Sequence, residues 1–340
     1  MSRKSCSIGS SRLRSEDAVL SRRACLVDSL IGCAGLALSG PLRSSAWAQE
    51  DPGEAKEIGG VQAIATKAGL GKFTIGRNEH FLGLGDTNDR FRAEALDICE
   101  GLAKEFLAFF HAKGFKVAYP EQRMTVIILK DDASYRAFTS DNLGLAVGGH
   151  FDLETNHLVM FDFRPRQAAL AAGANRVNLF TLVHETAHLL SYNTGLLSRK
   201  RDVPDCISEG FATFFEMWRP AAQQRAKRRT PVGAINRPRL QALVEAGDFK
   251  KSWQPIGSLI QKDELLRPED TRQVGYAESW LLIHYLLTTP AELPRLKGYL
   301  SALPPIAQAG KREQTAEQLL GPFDKLDHAL QSHARRQWRR

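Results

Sequence analysis

The sequence predicts an α+β protein in which a small mixed β-sheet with helices precedes a mostly helical half. Three observations carry this. Alternating and β-branched apolar runs, the marks of strands, are confined to residues 71–165. Apolar residues at helical spacing dominate everything after Pro165. The 340 residues, 43% hydrophobic and 25% charged, supply enough chain for one large domain or two modest ones. This composition excludes a disordered tail protein, a collagen-like repeat and a disulfide-dense miniature scaffold. No apolar run reaches 18 residues, so no multi-span membrane protein is expected.

Residues 1–48 read as an export signal. Ser21-Arg22-Arg23-Ala24-Cys25-Leu26 precedes a weakly apolar, Gly- and Ala-rich run from Leu30 to Leu38, and Ala46-Trp47-Ala48 follows. The paired arginines resemble the twin-arginine export signal, and the low hydrophobicity of the run suits that route. A lipobox, Leu30-Ile31-Gly32-Cys33, is the alternative and would make a lipoprotein through Cys33. Export places the mature chain, from about Gln49, in a periplasmic or secreted, oxidising setting. Cys99 and Cys206 then remain, either as a pair or as two buried thiols.

The formal net charge of +8 is uneven: seven Lys/Arg against three acids lie in residues 1–48. The other excess sits in Arg225–Arg229 and Arg335–Arg340, without aromatic interleaving, and reads as solvated face and basic tail. No nucleic-acid partner is expected.

Residues 49–70 are small, charged and Gly-rich, and read as a linker. Phe73–Leu84 reads as strand. Asn88–Ala112 has a helical period through Phe91, Ala95, Ile98, Leu102 and Phe106, closed by Gly114. Met124–Leu129 reads as a buried strand and Asp132–Thr139 as a short helix. Gly148–Leu153 and His157–Phe163 flank Glu154-Thr155-Asn156 as a hairpin. Helices are then expected over Val177–Tyr192, Ile207–Trp218, Pro238–Glu245, Tyr276–Leu287 and Ala316–Gln331. The expected parts are thus an α/β part, 71–165, and a helical part, 166–340, sharing one cleft.

The chemistry concentrates in Leu182-Val183-His184-Glu185-Thr186-Ala187-His188-Leu189-Leu190. His184 and His188, at i and i+4, project from one helical face and can bind one tetrahedral metal ion. Glu185 stands beside that metal, where it can take a proton from a bound water: the HExxH pattern of zinc hydrolases. The apolar flanks make the helix a buried one. A metzincin continuation is excluded, because Ser191 and Thr194 stand where its Gly and third His would be. Instead Ile207-Ser208-Glu209-Gly210-Phe211-Ala212-Thr213-Phe214-Phe215-Glu216 follows, with Glu209 21 residues after His188.

The pairing of HETAH with SEGFATFFE resembles the peptidase MA-like gluzincins. Within them it is most similar to bacterial domain-of-unknown-function proteins with a signal peptide and a short catalytic unit. It is also similar to the NEGFA segment of the aminopeptidase N family. The resemblance spans about residues 120–290. It implies a zincin-like α+β fold, one Zn²⁺ per chain on His184, His188 and Glu209, and Glu185 as general base. Glu216, seven residues on, is the alternative ligand. Thr213 stands where thermolysin-like enzymes carry an Asp supporting a histidine, and the GAMEN string of aminopeptidase N is absent. Similar helices in the superfamily carry a tyrosine facing the metal, which makes Tyr276 the candidate oxyanion donor, with His284 and Tyr192 weaker ones. Residues 148–153 are expected to align an extended peptide along a strand edge. The loop Asn193–Asp205, with Arg199, Lys200 and Arg201, reads as a solvated loop, with a border of the cleft that favours acidic substrate groups as the alternative.

The expected function is therefore that of a zinc metallopeptidase acting on a peptide or protein. The alternatives are a cell-envelope binding protein with structural zinc, in which Cys206 would close the site, and a cell-wall amide hydrolase.

Overall fold

Strand Met124–Leu129 (β3) is apolar on both faces, and all six of its residues are buried. A strand of this kind needs cover above and below it. The computed structural model describes residues 52–140, 148–164, 171–221, 232–246 and 253–339 and shows that cover. The chain divides into residues 1–49, which lie outside the described residues, and a unit of residues 50–340. The expected export signal with Cys33, and the basic run Arg225–Arg229, therefore fall outside what is described. No described helix is long and apolar enough to cross a membrane.

β3 is the centre of a five-stranded mixed sheet in the order β1-β2-β3-β5-β4. β1 (Thr74–Arg77) and β2 (Phe81–Gly85) form an antiparallel hairpin where one strand was expected. Asn78 makes the turn by accepting the Phe81 N–H at 2.9 Å. β2, β3 and β5 (His157–Phe161) run parallel, and β4 (Gly149–Asp152) closes the far edge antiparallel to β5.

One face of the sheet, with Phe81, Met124, Val126, Ile128, Leu158 and Met160, packs on two long helices. These are α2 (Asp89–Ala112) and α4 (Ala171–Asn193). Asn88 caps α2 through the Phe91 N–H. The other face, with Leu82, Leu84, Ile127, Leu129, Val159 and Phe161, packs on α3 (Asp132–Thr139) and on a helix over Pro52–Lys67, α1. The expected linker at 49–70 is thus corrected. Val61 and Ala65 of α1 are buried against that face. Glu54 pairs with Arg77 and Arg123, and Glu57 bonds Thr125 and His157. Without α1 the apolar second face of the sheet would lie in water.

After β5 the chain is helical: α5 (Asp205–Phe215), α6 (Arg237–Glu245), α7 (Ile256–Gln261), α8 (Glu269–Thr288), α9 (Leu293–Ala302), α10 (Arg312–Leu320) and α11 (Phe323–Trp338). Three expectations shift. α8 begins at Glu269, so Tyr276 lies two turns inside the helix rather than at its start. The expected helix 316–331 is two helices, broken where Gly321 takes φ 96° and Pro322 precedes α11. Cys99 and Cys206 are separate buried thiols, not a disulfide. Residues 71–165 and 166–340 are not independent halves either. One apolar core runs from Phe81 and Phe106 through Leu182 to Phe211 and Trp280.

α5 crosses α8 at Gly210. A Cβ there would stand 2.5 Å from both Ile283 Cγ1 and the Ser279 carbonyl oxygen. Gly210→Ala should therefore cost about 1–3 kcal/mol of stability, read as a lower denaturant midpoint. An unchanged midpoint would mean the crossing is loose.

α8 also buries Glu278 at 2% exposure, with only the Gln254 N–H as a partner, on Oε1 at 2.9 Å. Burial, with the Asp327 carboxylate adding to it, pushes Glu278 up to about 8. The native state thus holds a proton that the unfolded chain releases near its ordinary value of about 4.3. This contribution is complete below that value and is lost as pH rises through 8. Glu278→Gln should be near neutral at pH about 3 and stabilising by about 2–4 kcal/mol at pH about 9, in paired thermal melts. A gain equal at both values would contradict it.

Candidate metal centre

α4 is buried on nearly every side by Leu179, Leu182, Val183, Ala187, Leu189 and Leu190, so His184 and His188 are fixed to a rigid element. Both imidazoles are themselves buried. α5 follows after a loop and Pro204, and brings Glu209 to the same point. Glu209 Oε2 lies 3.1 Å from His184 Nε2 and 3.4 Å from His188 Nε2. The three ligand atoms all fall within 4.8 Å of one another. Tetrahedral zinc with bonds of about 2.1 Å sets its donors about 3.4 Å apart, so two of these separations already match a filled site. Two imidazoles and one carboxylate also suit zinc chemically and leave a fourth position for water.

Each histidine is held from behind. His184 Nδ1–H donates to Glu216 Oε1 at 3.0 Å, and His188 Nδ1–H to Ser208 Oγ at 3.0 Å. Both Nε2 atoms are thereby left facing Glu209. Glu216 thus meets His184 on its Nδ1 side and stands outside the group of three donor atoms. It lies two turns after Glu209, and α5 ends beside it. Glu216 is in turn bound by Arg239 Nη2 at 2.6 Å, Arg239 Nε at 3.0 Å and Asn236 Nδ2 at 2.7 Å. Glu216 supplies the support that Thr213 cannot; the Thr213 hydroxyl instead donates to the Glu209 carbonyl at 2.6 Å.

The electrostatics call for a cation. Burial alone would depress His184, but Glu209 and Glu216 on its two nitrogens outweigh it and push the imidazole up to about 10. Burial alone would raise Glu209, yet His188 and His184 hold it far below the usual carboxylate range. Burial raises Glu185, against the pull of His184 and His188. A raised carboxylate is suited to trading protons near neutrality.

Glu185 opens onto the cleft between α4 and the edge strand β4, and its carboxylate accepts the Phe151 N–H. Tyr276 lines the same cleft. Its ring lies parallel to that of His184, at 11° and 6.2 Å between centroids. Burial, with Glu209 and Glu185 adding to it, raises the Tyr276 hydroxyl and keeps it a proton donor. Tyr192 also lines the cleft, stacked on Phe151 at 5.7 Å and hydrogen-bonded to Ser208. The i+4 spacing from His188 to Tyr192 puts them on one helical face, a signal available in the sequence.

The expected His284 and Arg201 point elsewhere, whereas His150 lines the cleft. His284 pairs with His333 at 2.9 Å inside the helical half. His150 bonds Tyr135 at 2.7 Å and His157 bonds Glu57 at 2.6 Å. Arg201 turns away from the cleft to the Leu303 carbonyl. The cations lining the cleft beside Glu185 are instead Arg239 and Arg272, for which no motif gave a signal. Cys206 is buried outside the cluster of donors, so it does not close the fourth position. Among the described residues a second His/Glu group exists, Glu79, His80 and Glu100, more exposed and tied up by an internal bond of 2.5 Å.

Glu216→Gln should weaken zinc binding about 10–100-fold by loosening His184, measured by competition with a chromophoric chelator. Unchanged affinity would show that Glu216 only neutralises Arg239.

Residues 178–307 match a family model described as a protein of unknown function (DUF1570). The matched stretch contains His184, Glu185, His188, Glu209, Glu216, Arg239, Arg272 and Tyr276. No curated protein matches the chain.

Proposed function

We propose that this protein is a zinc-dependent hydrolase of the gluzincin type with a zincin-like fold, acting as a metallopeptidase. The observation that carries the reading is the meeting of His184 Nε2, His188 Nε2 and Glu209 Oε2 beside the half-buried carboxylate of Glu185. A purely structural site has no use for that carboxylate, and its fourth position is normally closed by Cys or His.

His184, His188 and Glu209 hold the metal. Zinc bound there supplies Lewis acidity, polarising a carbonyl and lowering the pKa of its water toward about 7. Glu185 takes the proton of the attacking water and delivers it to the leaving amine. The Tyr276 hydroxyl donates to the oxygen on which negative charge develops. The open edge of β4 orients an extended chain beside α4. Glu216 and Ser208 hold the Nδ1 side of each imidazole and so direct Nε2 at the metal. The twin-arginine-like leader supports work outside the cytoplasm, to which a folded, metal-loaded chain can be exported.

The test is metal content by elemental mass spectrometry, with peptide cleavage in a digest of denatured proteins read by mass spectrometry. The wild type should carry about one zinc per chain. Glu185→Gln should keep the zinc and lose about 10²–10⁴-fold in turnover. Glu209→Ala should lose zinc, and chelation should abolish cleavage reversibly. A folded protein without stoichiometric metal, or full turnover in Glu185→Gln, would sink the reading.

A further inference from the structure

The cleft has two unlike ends. Beside His150–Leu153 is a cavity of about 260 Å³ walled by Phe151, Leu153 and Tyr192. Beside Gly148 and Gly149 is one of about 180 Å³ walled by Phe180, Thr181, Arg239 and Arg272. Both share Gly149, His184, Glu185 and Tyr276; His188 and Glu209 line the first alone, so the donor cluster sits in the first and opens through Glu185 to the second.

Only the second end is lined by arginine. Arg239 is fully engaged there: Nε and Nη2 bind Glu216, and Nη1 binds Gln273 at 2.7 Å. Arg272 is not. It precedes Tyr276 by four residues on α8, so both side chains share one helical face. It is half-buried, and among the described residues its one hydrogen bond is from Nη2 to the Arg267 carbonyl at 2.8 Å. Among the described residues no carboxylate pairs with it. A partly desolvated guanidinium with spare donors, in a cavity that also reaches Glu185, is shaped for a planar anion.

The edge strand gives the direction. Phe161 N–H donates to the Gly148 carbonyl, and Asn156 N–H to that of Asp152. The even-numbered residues of β4 thus turn their backbone groups toward β5, and Gly149 and Phe151 turn theirs to the open edge. A chain pairing antiparallel with β4 runs from the Phe151 end to the Gly149 end. Its residues beyond the cut bond then reach Arg272.

We infer that Arg272 binds a substrate carboxylate on the C-terminal side of the scissile bond, from an acidic side chain or a free chain terminus. This rests on the peptidase reading above. The protein is accordingly selective for acidic peptides, with the apolar part of the substrate held against Phe151 and Tyr192.

The test takes one peptide cut in the digest and makes it in four forms. Glu or Gln stands after the cut bond, and the C-terminus is an acid or an amide; the first pair reports a side-chain source and the second a terminal one. In the wild type one acid/amide pair should differ about 10–100-fold in kcat/KM, the span of a charge-assisted hydrogen bond. In Arg272→Gln the ratio should fall to about one, with zinc content at the wild-type level. Ratios near one in the wild type, or a preference that survives in Arg272→Gln, would overturn the inference. Should a zinc-loaded wild type cut no peptide at all, it is the peptidase reading that fails. Fluorescence anisotropy of short labelled peptides of fixed sequence ending in Phe-Glu or Phe-Gln, each as C-terminal acid and amide, on the Glu185→Gln and Glu185→Gln/Arg272→Gln proteins then decides Arg272 separately. Equal binding of acid and amide would refute it, and an acid preference removed with Arg272 would sustain it.

Discussion

The centre depends on how His184 is held. An imidazole on a helix can rotate, and only a partner on its far nitrogen fixes both ring and tautomer. Glu216 is that partner, and Glu209 faces the opposite nitrogen. The two carboxylates cannot stand there without compensation. Arg239 answers Glu216, and in the bare site a proton on His184 answers Glu209. Three carboxylates drawn this close together also suit a divalent cation in place of that proton.

That arrangement is transmitted through α5. Glu209 and Glu216 sit two turns apart on it, so its axial position sets both the ligand and the support of the neighbouring ligand. The close crossing at Gly210 locks α5 to α8, which carries Tyr276 and Arg272. The start of α5 is fixed as well: Asp205 N–H donates to Asp263, and Arg312 ties Asp263 to Asp202 in the preceding loop. Glu209, Tyr276 and Arg272, the proposed metal ligand, proton donor and cleft cation, are thus mounted on one helix pair.

How much of this could be read in advance follows from what each feature leaves in the sequence. β3 and α3 appear with the expected ends, because a two-sided apolar run and an Asp131 cap are local signals. His184, Glu185 and His188 were legible for the same reason, since i, i+4 geometry is a property of the helix itself. α1 was hidden, because its core face is only Ile58, Val61 and Ala65 within a Gly-rich and charged stretch. Its cause lies in the bare second face of the sheet, which is a tertiary demand. Glu216 was visible as a residue but not in its role, because spacing does not tell which ring nitrogen a carboxylate meets. Arg239 reaches Glu216 from a helix more than 20 residues away, and nothing local announces it.

Gly148 and Gly149 explain the shape of the cleft. A Cβ on Gly148 would fall 2.2 Å from the Phe163 ring, and one on Gly149 would fall 2.9 Å from both Thr181 Cγ2 and the Val159 carbonyl. These glycines are therefore a condition of close packing between the start of β4 and α4. Exposed strand edges invite unwanted pairing, and proteins usually blunt or cover them. Here the edge is pressed against a helix, and one of its outward donors, Phe151 N–H, is taken by Glu185. The open stretch is thereby short and lies beside the carboxylate proposed to move protons. A bulkier residue at 149 would push the strand off α4 and widen the gap between edge and base. The two glycines thus set the distance at which an extended chain on the edge meets Glu185.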